Sequence, residues 1–212
     1  MKKIVILISG RGSNMQALLS ASLPCHIAAI ISNRADAAGL EIAAQQGIAT
    51  RVVAHRDYAD RAAFDMALAE VIDGYQPDVI VLAGFMRILT AQFVEHYRGR
   101  LINIHPSLLP AYAGMNTHER ALQDGVKIHG CTVHFVTPDL DHGPIIIQAA
   151  VPVLSDDTPQ ILSARVLKEE HIIYPQAIRW LCAGQVKLDT AGKVVSDRPE
   201  HPGISLVSPN LE

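Results

Sequence analysis

The residue types best suited to chemistry stand together at residues 103–110, which read NIHPSLLP. The apolar run 101–104 predicts a buried strand, so His105 would lie at its carboxyl end, where open α/β sheets bind their ligands. Because side chains alternate along a strand, Asn103 and His105 share one face and Ile104 lies on the other. An amide donor beside an imidazole can stabilise an oxyanion and move a proton, which predicts acyl-type transfer. A histidine that only caps the turn is the alternative.

A second candidate group is the acidic turn at residues 139–144, which read DLDHGP. A carboxylate from this turn could orient the imidazole of His105 and favour its protonated form. Sequence spacing alone does not bring the two together, and a surface aspartate in a turn is the alternative interpretation.

A glycine-rich loop, SGRGSN at residues 9–14, lies between a predicted buried strand and the start of a helix. Its glycines permit a tight turn, and the amides that follow stand at a helix N-terminus, where an anion is favoured. A dinucleotide site would need a third glycine where this chain has Met15, and a Walker A loop would need Gly-Lys-Ser/Thr. The loop therefore predicts a site for a single phosphate group. The alternative is a simple turn in which Ser13 or Asn14 caps the helix.

The elements that must position these groups alternate between strand and helix through the first half of the chain. Apolar runs predict strands over residues 4–8, 27–31, 51–53, 79–82 and 101–104. Helical patterns cover residues 14–21, 37–46, 60–73 and 91–96. This alternation predicts a Rossmann-like, mostly parallel sheet with helices on both faces.

The second half of the chain has a different pattern. Two β-rich segments, 128–136 and 145–153, are separated only by a short turn-forming segment, which predicts antiparallel strands. A long helix is predicted to end near residue 183, with Thr158 as its N-cap and Pro159 at its first position. We predict one domain over residues 1–184 and a tail over 185–212, with a hairpin around residues 189–193.

Composition excludes several classes of protein. The 212 residues carry 18 Lys+Arg and 21 Asp+Glu, a net charge of −3, which argues against a nucleic-acid partner. There are 10 histidines, but no HExxH or Cys/His spacing, so no metal site is predicted. Three scattered cysteines do not form a disulfide framework. The apolar run 4–8 is short for a signal peptide, and no run is long enough to span a membrane, so we expect a cytoplasmic protein.

Four motifs occur in a characteristic order: SGRGSN at 9–14, LAGFMRIL at 82–89, NIHPSLLP at 103–110 and DHGP at 141–144. Together they resemble those of the folate-dependent formyltransferases, over residues 3–182. The glycine loop, the short chain and the segment EHIIYP at 170–175 favour the purine-synthesis branch. The chain departs from the family at Ala113, where proline is usual, and at Asn116, where histidine is frequent.

The resemblance implies a transfer of the formyl group of 10-formyltetrahydrofolate, the co-substrate, to the amine of N1-(5-phosphoribosyl)glycinamide. It implies that Asn103, His105 and Asp141 are catalytic. The implied nucleotide contacts are Gly12, Ser13, Asn14, Leu167, Lys168, Glu169 and Glu170. The implied folate contacts are Arg61, Met86, Arg87, Ile88, Leu89, Asn103, Thr137, Pro138, Asp139, Leu140 and Asp141. It implies small-molecule substrates, no metal, no membrane, and a monomer or homodimer.

Several rival functions share parts of this pattern. A formyltetrahydrofolate deformylase would use the same residues with water as the acceptor, but such enzymes usually carry an additional amino-terminal domain, whereas this chain begins at the first strand. Transfer-RNA and sugar-nucleotide formyltransferases are usually longer. A non-catalytic folate- or nucleotide-binding module is the rival from another class, and binding alone would not require Asn103, His105 and Asp141. A dinucleotide oxidoreductase is disfavoured by Met15.

Overall fold

A seven-stranded sheet runs through the computed structural model, which describes residues 1–198 and 206–209. Its strands are β1 (Lys2–Ile8), β2 (Cys25–Ser32), β3 (Thr50–Val52), β4 (Val79–Leu82), β5 (Leu101–His105), β6 (Ile128–Phe135) and β7 (Ile145–Pro152). They are arranged in the order β3-β2-β1-β4-β5-β6-β7. The first five are parallel, whereas β6 pairs antiparallel with β5 and β7 antiparallel with β6. The predicted mostly parallel sheet with antiparallel additions is confirmed.

Six helices accompany the sheet within the described part of the chain. They are α1 (Ser13–Ser20), α2 (Ala38–Gln45), α3 (Arg61–Asp73), α4 (Ala91–His96), α5 (Thr117–Gln123) and α6 (Pro159–Cys182), with a 3₁₀ turn at His55–Asp57. The predicted cap of α6 is confirmed, because Thr158 Oγ1 accepts a hydrogen bond from the Ile161 amide at 3.3 Å. The short helix α5 was not predicted from the sequence. It buries only Thr117 and Ala121, which is too few apolar positions to make a helical period visible.

Alternation along the central strands divides the core between the two faces of the sheet. Ile4 and Ile6 of β1 contribute to the core beneath α1, α2 and α6. Val5 and Leu7 contribute to the opposite core, beneath α3 and α4. Both sides of β1 are therefore buried, which is why its sequence is a continuous apolar run.

The helical cover of the second face ends at β5. On the face beneath α6, strand β6 contributes Cys131, Val133 and Phe135 to the core. On the other face, the carboxyl-terminal half of β6 presents the polar Thr132 and His134. This part of the sheet is covered by the loops after β5 and β6, and the polar groups gather beneath them.

A short hairpin follows α6 and confirms the one predicted around residues 189–193. Strands β8 (Val186–Leu188) and β9 (Val194–Ser196) pair antiparallel, and Asp189 Oδ1 accepts hydrogen bonds from the amides of Ala191 and Lys193. Val186 is buried in the core beneath α6. Residues 199–205 and 210–212 of the predicted tail lie outside the described residues. Within the described ranges, no helix has both the length and the apolar character to cross a membrane.

Candidate active site

The structure brings Asn103, His105 and Asp141 together at the carboxyl end of β5. His105 Nδ1 lies 3.5 Å from Asp141 Oδ2. Each of the two side chains has only 9% of its surface exposed. Asn103 Nδ2 lies 3.2 Å from His134 Nε2, and the same His134 nitrogen lies 4.0 Å from Asp141 Oδ1. Four polar side chains from two strands and one loop thus surround a single point.

The loop between β6 and β7 has to turn back on itself to bring Asp141 to this point. Asp141 has a left-handed backbone with φ 55°, and the Phe135 amide donates to the Pro144 carbonyl at 2.9 Å. Gly143 lies against this contact, because a Cβ atom there would stand 1.7 Å from the Phe135 carbonyl oxygen. Only glycine fits at this position. Within the DHGP motif, Gly143 therefore allows the loop to fold back, and Asp141 supplies the carboxylate beside His105.

The imidazole ring of His105 lies between a backbone carbonyl and a carboxylate. Its Nε2 lies 3.0 Å from the Tyr112 carbonyl oxygen, and its Nδ1 faces Asp141. A neutral imidazole offers only one N–H donor, whereas the imidazolium offers two. Asp141 Oδ2 also accepts from the Gly114 amide at 2.9 Å, which holds the carboxylate in place. Both ring nitrogens of His105 thus face oxygen atoms that can accept a hydrogen bond.

His134 holds the amide of Asn103, a role that was not predicted from the sequence. Its Nδ1 donates to the Phe135 carbonyl at 2.9 Å, which leaves Nε2 as the acceptor for Asn103 Nδ2. Burial is the largest effect on its pKa and lowers it, so the ring is neutral. The signal that could have found His134 is the register, because Asn103 pairs with His134 across β5 and β6.

Thr132 anchors the loop that follows β5. Its hydroxyl accepts from the Leu109 amide at 3.1 Å and donates to the Ser107 carbonyl at 2.7 Å. Gln148 on β7 donates to the same hydroxyl at 2.9 Å and to the Leu109 carbonyl at 2.9 Å. Sequence reasoning missed Thr132 and Gln148 as site supports, because their role depends on three adjacent strands being in register.

The glycine loop forms an open helix N-terminus. Gly12 is the N-cap of α1, with a left-handed backbone (φ 76°) that glycine adopts without strain. Neither Ser13 nor Asn14 caps the helix, so that alternative is wrong. The first amides of α1 have no intrahelical acceptor, and they point towards the carboxyl end of β1, where the predicted phosphate would bind.

Asn14 connects this loop to the long helix α6. Its Nδ2 donates to Glu170 Oε2 at 2.7 Å. Glu170 is only 7% exposed, and burial raises its pKa, although the hydrogen bond from Asn14 acts in the opposite direction. Asn14 Oδ1 is buried and has no hydrogen-bond partner among the described residues. Of the other predicted nucleotide contacts, Leu167 and Glu169 are partly buried, and Lys168 is exposed.

The predicted folate contacts lie mainly on two loops. Met86, Ile88 and Leu140 expose 62%, 55% and 52% of their surface. Apolar side chains of this size are costly to leave in water, and they mark a binding surface when they lie beside a polar site. The remaining positions are more varied: Leu89 packs against the core beneath α3, Arg87 and Thr137 are partly buried, and Arg61, Pro138 and Asp139 are exposed.

Residues 2–178 match the family described as formyl transferase. The chain is 52% identical over 189 residues to the phosphoribosylglycinamide formyltransferase of Escherichia coli, covering 87% of this chain and 89% of that protein. It superposes on the phosphoribosylglycinamide formyltransferase of Coxiella burnetii with a TM-score of 0.89 and 50% identity, over 92% and 93% of the two chains. The chain belongs to the formyl transferase family.

The fold alone does not separate the branches of this family. A formyltetrahydrofolate deformylase from Pseudomonas syringae has a TM-score of 0.84 over 92% of this chain and 65% of its own. Its identity is 30%, compared with 52% for the Escherichia coli protein. Identity therefore favours the transferase branch over the deformylase.

Two depressions on the surface lie away from the candidate active site. One, of about 560 Å³, lies at the amino ends of β1 and β2 and is lined by residues that include Leu19, Cys25 and Ile48. Another, of about 290 Å³, lies between α3 and α4. Neither contains Asn103, His105 or Asp141. Among the residues described, no three His, Cys, Asp or Glu side chains are grouped to hold a metal ion.

Proposed function

We propose that this chain transfers the formyl group of 10-formyltetrahydrofolate to the primary amine of N1-(5-phosphoribosyl)glycinamide. The products are the N-formyl nucleotide and tetrahydrofolate, as in de novo purine (IMP) biosynthesis. The structural observation that supports this function is His105 held between Asp141 and the Tyr112 carbonyl, next to the amide of Asn103. That arrangement provides a cation and a neutral donor for an oxyanion.

The nucleotide phosphate is expected at the N-terminus of α1, where the amides of Ser13 and Asn14 would donate to it. Glu170 offers a buried acceptor beside this loop, held by Asn14 at 2.7 Å. An acceptor there suits a hydroxyl or amine group of the nucleotide. Its position between the phosphate loop and His105 would direct the amine towards the formyl carbon.

In the proposed step the substrate amine attacks the formyl carbon, and the carbonyl oxygen becomes an oxyanion. Asn103 Nδ2 keeps one N–H for this oxyanion, because its other N–H points to His134. His105 Nε2 donates to Tyr112 in the structure, so the oxyanion must replace the Tyr112 carbonyl as its acceptor. Asp141 stays beside Nδ1 and keeps the ring oriented.

Collapse of the tetrahedral intermediate breaks the bond between the formyl carbon and the folate nitrogen. That nitrogen takes a proton and leaves, and the attacking amine loses one, either directly or through water. The donors of Asn103 and His105 carry the oxyanion, so the step assigns no role to a metal.

The folate is expected on the apolar surface of Met86, Ile88 and Leu140, whose exposure its rings would reduce. Arg61 and Arg87 carry positive charge that suits the carboxylates of its glutamate. We further propose a cytoplasmic enzyme that acts on small molecules, without a nucleic-acid partner, as a monomer or a homodimer.

One assay separates the transferase from its rivals. The protein is mixed with 10-formyltetrahydrofolate, and tetrahydrofolate release is followed with and without the nucleotide. Release that depends on the nucleotide is expected. Equal release in both cases would identify a deformylase, and no release in either would favour a binding module. His105→Ala is expected to lose at least about a hundredfold in rate, as for loss of a general acid–base group.

A further inference from the structure

Three polar side chains form a series of contacts across the carboxyl ends of β3, β2, β1 and β4. Ser9 directly follows β1, Asn33 directly follows β2, and His55 begins the 3₁₀ turn after β3. Ser9 and Asn33 are buried, and His55 is partly buried. The formyl transfer proposed above assigns no role to any of the three, although they lie at the edge of the sheet where α/β proteins bind their ligands.

The Ser9 hydroxyl joins the ends of three strands. The Met86 amide donates to Ser9 Oγ at 2.7 Å. Because an amide N–H can only donate, the hydroxyl keeps its own hydrogen for another acceptor, which is Asn33 Oδ1 at 2.6 Å. Met86 begins the folate loop, residues 86–89, on which the folate is expected to bind. A buried side chain at the end of β1 thus holds the first amide of that loop.

The hydrogen bond from Ser9 also fixes the side-chain amide of Asn33. Since Oδ1 accepts from Ser9, Nδ2 faces the other way and lies 3.1 Å from His55 Nδ1. The same ring nitrogen lies 2.9 Å from the backbone carbonyl oxygen of Asn33. An unprotonated Nδ1 can accept from the amide, and a protonated Nδ1 can donate to the carbonyl. His55 therefore stays attached to Asn33 in either tautomer.

The far end of this series returns to the folate loop through two ring contacts. The His55 ring meets the buried Phe64 ring edge to face, with the centroids 6.4 Å apart. The Arg87 guanidinium lies over the same Phe64 ring, 6.0 Å from its centroid. Arg87 Nε is buried and has no hydrogen-bond partner among the described residues, so packing positions this side chain. The folate loop is therefore held at Met86 by Ser9 and beneath Arg87 by Phe64.

We propose that Ser9, Asn33 and His55 are positioning residues that set the folate loop relative to the glycine loop, an inference that rests on the proposed function. Ser9 is the first residue of the glycine loop, so one hydroxyl joins the two loops that would carry the two substrates. The glycine loop also has its own support, because the Gly39 amide donates to the Gly10 carbonyl at 3.1 Å. Loss of the Ser9 hydroxyl is therefore expected to weaken folate binding and to spare nucleotide binding.

Ser9→Ala removes the acceptor of the Met86 amide and the donor to Asn33. We expect the folate KM to rise about tenfold, while kcat and the nucleotide KM stay within about threefold of the wild type. Steady-state kinetics with each substrate varied in turn separate these constants. Ser20→Ala, at an exposed serine that ends α1, is the matched control and should change none of them. Equal increases in both KM values, or a lower kcat with an unchanged folate KM, would overturn the proposal.

Binding of tetrahydrofolate, the product, gives a readout that does not depend on turnover. Calorimetry is expected to show a Kd about tenfold higher for Ser9→Ala than for the wild type. A wild type that does not bind tetrahydrofolate would overturn the proposed function itself. A wild type and a Ser9→Ala variant that bind it equally would overturn the positioning role and leave the proposed function standing.

A double-mutant cycle tests whether the residues act together. Asn33→Ala is expected to raise the tetrahydrofolate Kd about threefold, and the double variant with Ser9→Ala about tenfold, no more than Ser9→Ala alone. A rise of about thirtyfold, the product of the single effects, would show that the two residues act independently. His55→Ala, at a partly exposed position, should raise the Kd about threefold and serves if Ser9→Ala does not fold. A His55→Ala variant that binds like the exposed control His26→Ala would contradict the network.

Discussion

At the scale of single residues, the site depends on polar groups whose orientation is set by a neighbour. The Asn103 amide is useful as an oxyanion donor only if its nitrogen faces the cleft. His134 accepts from that nitrogen at 3.2 Å and is kept neutral by burial, so it selects this orientation. His134 is a positioning residue in this arrangement, because it reaches the substrate only through Asn103.

Replacement of His134 by alanine is expected to release the Asn103 amide. We expect kcat to fall by about fivefold, the effect of losing one hydrogen bond of roughly 1 kcal/mol, while the nucleotide KM changes little. Steady-state kinetics on His134→Ala and His134→Gln test this, since the glutamine can restore an acceptor and part of the rate. His26→Ala, an exposed histidine at the other end of the sheet, is the matched control. A nucleotide KM that rises while kcat holds would contradict the positioning role.

Glu170 illustrates the cost of a buried carboxylate. Burial raises its pKa, so ionisation is less favourable in the folded chain than in the unfolded one. Stability from this group is therefore complete at acidic pH, below the ordinary carboxyl pKa, and is lost as pH rises through the folded pKa. A neutral group of the same shape would avoid that loss.

We expect Glu170→Gln to have a higher Tm than the wild type at pH 8, by about 2–4 °C for each kcal/mol relieved. The gap should close near pH 4, where Glu170 is protonated in both states. Thermal unfolding at the two pH values measures this difference in Tm. Lys168→Gln, at an exposed position two residues earlier in α6, is the control for the removal of a charge alone. A gap that stays constant with pH would show that the pKa of Glu170 is not raised. The same variant is expected to bind the nucleotide less tightly.

At the scale of elements, the phosphate loop is supported by the close packing of α2. The Gly39 amide donates to the Gly10 carbonyl at 3.1 Å. A Cβ atom on Gly39 would stand 2.7 Å from Ile8 Cδ1 and 3.3 Å from the Gly10 carbonyl oxygen. The helix can therefore approach the loop this closely only with glycine at that position, and the approach sets the height of the loop above β1.

Gly39→Val is expected to push α2 away from the loop. Overpacking of this kind costs about 1–3 kcal/mol of stability, and we expect the nucleotide KM to rise by about tenfold with little change in the folate KM. Kinetics with each substrate varied in turn distinguish the two constants. Ala38→Val, an exposed position on the same helix, should leave both constants unchanged. Equal increases in the nucleotide KM and the folate KM would contradict a specific role of Gly39 in supporting the phosphate loop.

At the scale of the whole molecule, the hairpin formed by β8 and β9 is a sheet of its own, apart from the seven-stranded sheet that carries the candidate active site. The hairpin buries Val186 in the core beneath α6, and Arg198 lies 3.7 Å above the ring of Trp180. These contacts are at the carboxyl end of α6, ten or more residues after Glu170. The division into a domain over 1–184 and a tail over 185–212 remains a prediction, and these contacts indicate that the tail supports stability more than chemistry.

A chain ending at residue 184 tests that division. We expect it to lose roughly 2–3 kcal/mol of stability, from the burial of Val186 and its neighbours, and about 5–10 °C in Tm. Its kcat at 20 °C should stay within about twofold of the full chain, because no catalytic contact is removed. A point variant, Val186→Ala, should show a smaller loss of the same kind. A large fall in kcat for a chain that remains folded would assign the tail a role at the site.

Much of the architecture follows from the sequence because its signals are local. The run Ile4–Ile8 is apolar on both faces, Thr158 and Pro159 begin α6, and each of these features depends on a few consecutive residues. The order of strands and helices was predictable for the same reason. Helix α5 escaped prediction because its buried positions are too few to leave a period.

The sequence by itself determined the fold class, the alternation along β5 that places Asn103 beside His105, and the chemistry those side chains can perform. The tertiary structure alone decided that the helices of one face stop at β5, that His134 lies opposite Asn103, and that Asp141 reaches His105. The physical reason is the range of the interactions. Propensity and alternation act between neighbours in the sequence. The pairing of β5 with β6 instead brings Asn103 to His134, 31 positions away, and the β6–β7 loop brings Asp141 to His105, 36 positions away, which no local pattern records.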